Sequence, residues 1–183
     1  MNRTMKNSLL TGIVALAALV IGAGIGLWNK QPPPTGSAVP LNHLLGQKVP
    51  DADGRPADMS IYTGKILVLN FWATWCPPCV QEMPEIDEIQ AEYAKRDVVV
   101  LGLGLDTAER IRAFSSKLKV SYPLFAMDAA GLAVVRDFGN EQGALPYTMV
   151  YDRNGQEVAR KLGRISRNEL RQAIEQALAR TPG

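Results

Sequence analysis

The run Ile66-Leu67-Val68-Leu69-Asn70-Phe71 leads without a break into Trp72-Ala73-Thr74-Trp75-Cys76-Pro77-Pro78-Cys79. An apolar run of this length reads as a short buried strand, and residues 81–95 read as a helix. The turn between them must deliver two cysteines, two residues apart, to a helix N-terminus. That spacing reads as a thiol–disulfide redox pair. A helix N-terminus presents unpaired N–H groups and about half a positive charge, and both favour a thiolate. Cysteines placed this way have pKa values lowered to roughly 3.5–7.5. Cys76 is then the attacking thiolate, and Cys79, about one turn further in, is the buried resolving thiol. Attack by Cys76 on a disulfide gives a mixed disulfide, which Cys79 resolves by attacking Cys76. Pro77 and Pro78 suit a helix start, where a missing N–H costs nothing, and they stiffen the turn.

Glu82 lies three residues after Cys79, on the same helix face. A partly buried carboxylate there can take or give the Cys79 proton during exchange. A solvated helix residue is the plainer alternative.

Residues 71–79 resemble the active site of thioredoxin-like proteins. The wording of 70–79 is most similar to the membrane-anchored, exported TlpA/ResA-type thiol-disulfide oxidoreductases, and the resemblance covers residues 40–180. It implies an α/β thioredoxin-like fold, a central mixed sheet flanked by helices. An N-terminal extension and a central insertion over Lys119 to Gly139 are also implied. Family members carry a proline five residues after the second cysteine, matched by Pro84, and a glutamate at the position of Glu82. Thioredoxins have a buried aspartate where this chain has Asn70, so a proton carrier has to be sought elsewhere, and Glu82 is the nearest in sequence. The resemblance further implies that Pro146 is cis and packs against the cysteines, with Leu145 offering its backbone to substrate. Tyr147 stands where many relatives have threonine and is expected to shape the substrate groove. Trp75, beside Cys76, is expected to join Pro77 in the contact surface for a partner chain, and Trp72 is read equally well as core.

Other readings of the two cysteines remain open. A structural zinc site needs four ligands, and the chain offers two cysteines and one histidine, His43. A copper-binding, metallochaperone-type module would use both thiolates, with Met83 the only nearby sulfur. An inert structural disulfide and a thiol peroxidase complete the set. The leading expectation is a protein disulfide reductase whose only redox group is the Cys76-Cys79 pair, with no separate cofactor and no metal.

Arg3, Lys6 and Lys30 are the only charged side chains before residue 31, and setting them aside leaves 17 basic against 18 acidic residues. A near-neutral domain without a basic stripe argues against nucleic-acid binding. Leu9 to Leu27 carries no charge and is long enough to cross a bilayer as a helix. Arg3 and Lys6 on its N-terminal side keep the N-terminus in the cytoplasm by the positive-inside tendency. The expected order is therefore a cytoplasmic tail over 1–8, a transmembrane anchor over 9–28, a Pro-rich linker over 29–40 and the thioredoxin-like domain over 41–183. A cleaved signal peptide ending near Gly36-Ser37-Ala38 is the competing reading. Either way the cysteines face a compartment where disulfides persist. The expected location is the bacterial inner membrane, single-pass, with the catalytic domain periplasmic. The family implies exported, disulfide-bearing proteins as substrates, apocytochrome c among them, and a membrane electron donor of the DsbD/CcdA type.

Along the chain, residues 41–65 read as a hairpin or loose strands around Asp53-Gly54. Met83, Ile86, Ile89 and Tyr93 form one helical face, in which Pro84 predicts a kink. Residues 97–105, with Val98 to Leu101 at their heart, read as a second, continuously apolar strand covered on both faces. Asp106 with Glu109 reads as a capping box, and so does Ser166 with Glu169. Residues 122–126 read as a short strand and 129–138 as a short helix. Residues 147–151 and 157–162 read as strands joined at Asn154-Gly155.

Overall fold

The computed structural model describes residues 39–180. In chain order these form α1 (Val39–Leu45), β1 (Lys48–Pro50), β2 (Pro56–Asp58), β3 (Ile66–Trp72), α2 (Pro77–Tyr93), β4 (Val98–Gly104), α3 (Ala108–Ser115), β5 (Leu124–Ala126), α4 (Gly131–Asp137), β6 (Tyr147–Tyr151), β7 (Glu157–Leu162) and α5 (Arg167–Arg180). The main sheet has the order β5-β4-β3-β6-β7. Strand β3 is parallel to β4 and antiparallel to β6, so the sheet is mixed.

All seven residues of β3 are buried, and alternation sends them to two cores. Ile66, Val68 and Trp72 join Met83, Ile86 and Ile89 of α2 and Ile174 of α5. Leu67, Leu69 and Phe71 join Leu41 and Leu44 of α1 and Val135 of α4 on the other face. Each such side chain gains roughly 1.5–3 kcal/mol from burial. The motif therefore hangs from the most deeply held strand of the sheet.

Helix α2 begins at Pro77, four residues before the predicted start, because the two prolines occupy its first positions, where their missing N–H groups cost nothing. Residues 41–65 are more ordered than a loose hairpin: most of α1, the antiparallel pair β1–β2 and a 3-10 turn over Met59–Tyr62 fill them. Helix α1 already begins at Val39, inside the segment expected as linker. The capping box at Asp106 is not formed. Thr107 caps α3 by accepting from Arg110 N at 3.3 Å, because Asp106 is engaged elsewhere. The box at Ser166 is formed, with Glu169 Oε2 accepting from Ser166 N at 2.9 Å. The β6–β7 turn is held by Asp152 Oδ1, which accepts from Asn154 N and Gln156 N, while Gly155 takes the left-handed φ of 73° that the turn requires.

Among the described residues no helix is long and apolar enough to cross a membrane. The tail, the span over 9–28 and most of the linker lie outside the described residues.

Candidate active site

Cys76 is the N-cap of α2. It is joined to Cys79 by a disulfide with the two Cα atoms 5.3 Å apart. Cys76 is 5% exposed and Cys79 is fully buried. An incoming thiolate or disulfide can therefore meet Cys76 only, and Cys79 can react only with Cys76.

Strand β4 fixes the approach to the motif. Leu105 N donates to Trp72 O at 2.8 Å. Thr74 N donates to Asp106 Oδ2 at 2.7 Å. Asp106 is buried, with exposed Arg110 3.6 Å away. The turn is closed by Cys76 N donating to Ala73 O at 3.1 Å.

Three residues beyond Cys79 on α2, Glu82 is fully buried. Its Oε1 accepts from Asn70 Nδ2 of β3 at 2.8 Å, and its Oε2 accepts from Ile165 N at 2.9 Å. Asn70 Nδ2 gives its other proton to Thr148 Oγ1 of β6 at 3.0 Å. Burial pushes the Glu82 carboxyl above its ordinary range, the two hydrogen bonds and nearby Arg164 pull it back, and Glu85 adds to the rise. A carboxyl so placed keeps its proton above its ordinary range, and the two donors stabilise the carboxylate when it lets go.

The Leu145–Pro146 peptide is cis. Pro146 is buried, Leu145 is half-buried, and Pro146 O accepts from Gly163 N at 2.8 Å. Tyr147 is buried at the start of β6. Its ring stacks on Phe71 and its hydroxyl donates to Phe138 O at 2.9 Å. With Asn140, Arg160 and Leu162 it lines an open groove of about 440 Å³. Trp75 is 63% exposed and Pro77 is exposed, whereas Trp72 is buried against Phe114. His43 lies exposed on α1 beside Gln47. Among the described residues no three His, Cys, Asp or Glu side chains cluster as metal ligands would.

Asp106, Thr148 and Ile165 were not singled out from sequence as parts of this site. Each acts through a backbone or side-chain contact to a residue at least 32 positions away, and no local pattern marks such a contact.

The family described as Redoxin matches residues 34–178. The chain belongs to the Redoxin family. Among Redoxin relatives, the thiol-disulfide oxidoreductase ResA of Bacillus thuringiensis is 28% identical over 171 residues, 90% of this chain and 94% of ResA. The thioredoxin-like protein YneN of Bacillus subtilis is 30% identical over 139 residues, 71% of this chain and 78% of YneN. Of solved structures, that of MTB dsbF in mixed oxidised and reduced forms aligns with a TM-score of 0.61 and 27% identity, covering 73% of this chain and 96% of dsbF. The fold is thioredoxin-like, and this Redoxin is a thiol-disulfide oxidoreductase. Its sequence holds two cysteines, Cys76 and Cys79, and the structure joins them as a disulfide.

Proposed function

We propose that this Redoxin-family chain reduces disulfides of exported proteins, with Cys76 attacking, Cys79 resolving and Glu82 taking the Cys79 proton. The observation that carries the reading is the buried Glu82 carboxyl, one helical turn from Cys79 and held by Asn70 and Ile165. Cys76 thiolate attacks a substrate sulfur, and the substrate S–S bond breaks with its electron pair on the leaving sulfur. Cys79 gives its proton to Glu82 and attacks Cys76, and the mixed disulfide breaks with its electron pair on the second substrate sulfur. The substrate is reduced by two electrons and the Cys76-Cys79 pair is oxidised.

Trp75 and Pro77 supply the exposed apolar surface for the substrate chain, Leu145 supplies backbone, and Pro146 seats the disulfide. Tyr147 floors the neighbouring groove. The uncharged stretch over 9–28, with Arg3 and Lys6 before it, supports an inner-membrane anchor with the domain on the periplasmic side. A pair that donates electrons there must be re-reduced, which calls for a membrane donor of the DsbD/CcdA type. Apocytochrome c thiols are one substrate class consistent with this setting.

The test is the reduction potential of the Cys76-Cys79 pair in the full chain, equilibrated with a dithiol buffer. A value near about −270 mV supports a reductase, and one near about −120 mV overturns the direction in favour of an oxidant. A pair that never equilibrates overturns the catalytic role of both cysteines.

A further inference from the structure

Strand β3 is antiparallel to β6, and β6 to β7, so the carboxyl ends of β3 and β7 flank the amino end of β6. Phe71, Tyr147 and Leu162 stand side by side in register across that end of the sheet. Cys76 lies five residues beyond Phe71, and cis Pro146 directly precedes Tyr147. Gly163 N, next to Leu162, donates to Pro146 O at 2.8 Å. The open groove of about 440 Å³ lined by Gly139, Tyr147, Arg160 and Leu162 therefore lies on the β7 side of the cis-proline. Leu162 is 51% exposed, one of four large apolar side chains left open to solvent among the described residues, and Trp75 beside Cys76 is another. Arg160 is anchored, because its Nε and Nη2 both donate to the buried carboxylate of Glu157. Its Nη1 sits against Gly139, where an added Cβ would lie 2.8 Å away. Gly139, with a left-handed φ of 86°, thus lets the guanidinium form part of the groove wall.

Walls of this kind select their occupant. The charge of Arg160 is balanced by Glu157, and the one acid on the rim, Glu141, is exposed, where an ion pair contributes little. The groove therefore favours a neutral guest. Tyr147 and Leu162 supply apolar surface, and an anchored guanidinium is a surface on which aromatic rings stack. We propose that this groove binds an aromatic side chain of the substrate protein, carried about three residues from the cysteine under attack. The spacing follows from the sheet, since two strand separations are about 10 Å, or about three residues of extended chain. The proposal rests on the reading that the substrate chain lies across Leu145 and Pro146, and it adds which residue of that chain is chosen. Leu162 and Arg160 are its specificity-determining residues, and the exchange itself stays with the two cysteines.

The experiment measures the second-order rate at which the reduced full-length chain reacts with short peptides. Each peptide carries one cysteine as a disulfide with a nitrobenzoate thiol whose release is coloured. Phe, Ala, Glu or Lys is placed two, three or four residues from that cysteine, on either side. Phe is expected to react at least about tenfold faster than Ala at one such position, the low end of what an apolar pocket contact supplies. Glu and Lys are expected to react no faster than Ala. Leu162→Ala is expected to remove most of the preference for Phe, and Leu162→Lys to transfer it to Glu. Leu162 is exposed enough for both variants to keep the fold, and a gained preference for Glu is a result that a folding defect does not produce. Equal rates for the Phe and Ala peptides at every position overturn the aromatic site, as does a wild-type preference for Glu or Lys, or a Phe preference that Leu162→Ala leaves intact. The mixed disulfide of free cysteine with the same coloured thiol separates this failure from that of the underlying reading. Peptides that all outpace it, without regard to side chain, overturn the aromatic site and leave Leu145 and Pro146 as the substrate seat. Peptides that never outpace it overturn both.

Discussion

Asn70 and Glu82, twelve residues apart in sequence and on different elements, share a 2.8 Å hydrogen bond inside the core. The amide is a neutral partner, so it orients the carboxyl without supplying the charge that would lock it ionised. Burial therefore dominates, and the Glu82 pKa stays raised above its ordinary 4.5.

That shift predicts a pH dependence of stability. Between the unfolded value near 4.5 and the raised folded value, the folded chain keeps a proton that the unfolded chain releases. Stability due to Glu82 is thus full below the window and is lost as pH rises through it. Glu82→Gln removes this loss, and Asn70 can turn its amide over so that Oδ1 accepts from the amide that replaces the carboxyl. Urea unfolding of the oxidised proteins from about pH 4 to about pH 9 is expected to show the variant gaining on wild type as pH rises. Parallel curves would refute a raised Glu82.

Asp106 holds the turn before Cys76 through Thr74 N. Asp106→Ala leaves that half-buried N–H unpaired, at a cost of about 1–3 kcal/mol. Asp106→Asn keeps an acceptor and is expected to recover most of the loss. Denaturant midpoints for the two variants, with amide exchange at Thr74, check this. An Asp106→Ala protein with wild-type exchange at Thr74 would show that the contact does not hold the turn.

Much of this fold is legible in the sequence for identifiable reasons. The continuous apolarity of β3 and β4 marks strands covered on both faces, and the structure places helices over both. Residues 147–151 and 157–162 match β6 and β7 to the residue, because Asn154-Gly155 fixes the turn between them. The N-terminal segment is less legible. Strands β1 and β2 have three residues each, too short for any period to show. Asp106 misleads for a different reason. Its spacing to Glu109 imitates a cap, but its carboxylate faces Thr74 across a register between β3 and β4 that local pattern does not contain. Glu82 is legible as a candidate through its offset from Cys79, whereas its partner Ile165 comes from a loop 83 residues on.

Trp75 is 63% exposed, and among the described residues its indole takes part in none of the ring pairs or hydrogen bonds that hold the core. Trp75→Ala is expected to leave stability within about 0.5 kcal/mol of wild type, as surface substitutions do. If its face receives the substrate chain, the variant slows reduction of a protein disulfide and leaves the reaction with a small disulfide unchanged. Comparing the two rates checks the assignment, and equal slowing of both would place Trp75 in the thiol chemistry instead.

Helices α2 and α5 are joined by a ladder of ion pairs: Glu85 with Arg164 at the loop before α5, Glu88 with Arg167, and Glu92 with Arg171. Arg96 with Glu175 extends it, and each pair spans 79 positions. A constant offset means that the helices run side by side in the same direction. The Tyr93 hydroxyl adds a bond to Glu175 Oε1 at 2.8 Å, and burial followed by that carboxylate raises its pKa to about 12. Both members of most rungs are more than a third exposed, so water and salt screen them. Arg167→Ala and Arg171→Ala are each expected to cost less than about 1 kcal/mol. Raising salt from about 0.1 M to about 1 M is expected to weaken wild type more than a variant in which Glu88 and Glu92 are both replaced by glutamine. Unfolding midpoints at the two salt concentrations decide it, and an equal salt response in the two proteins would show that these rungs add no net electrostatic stability.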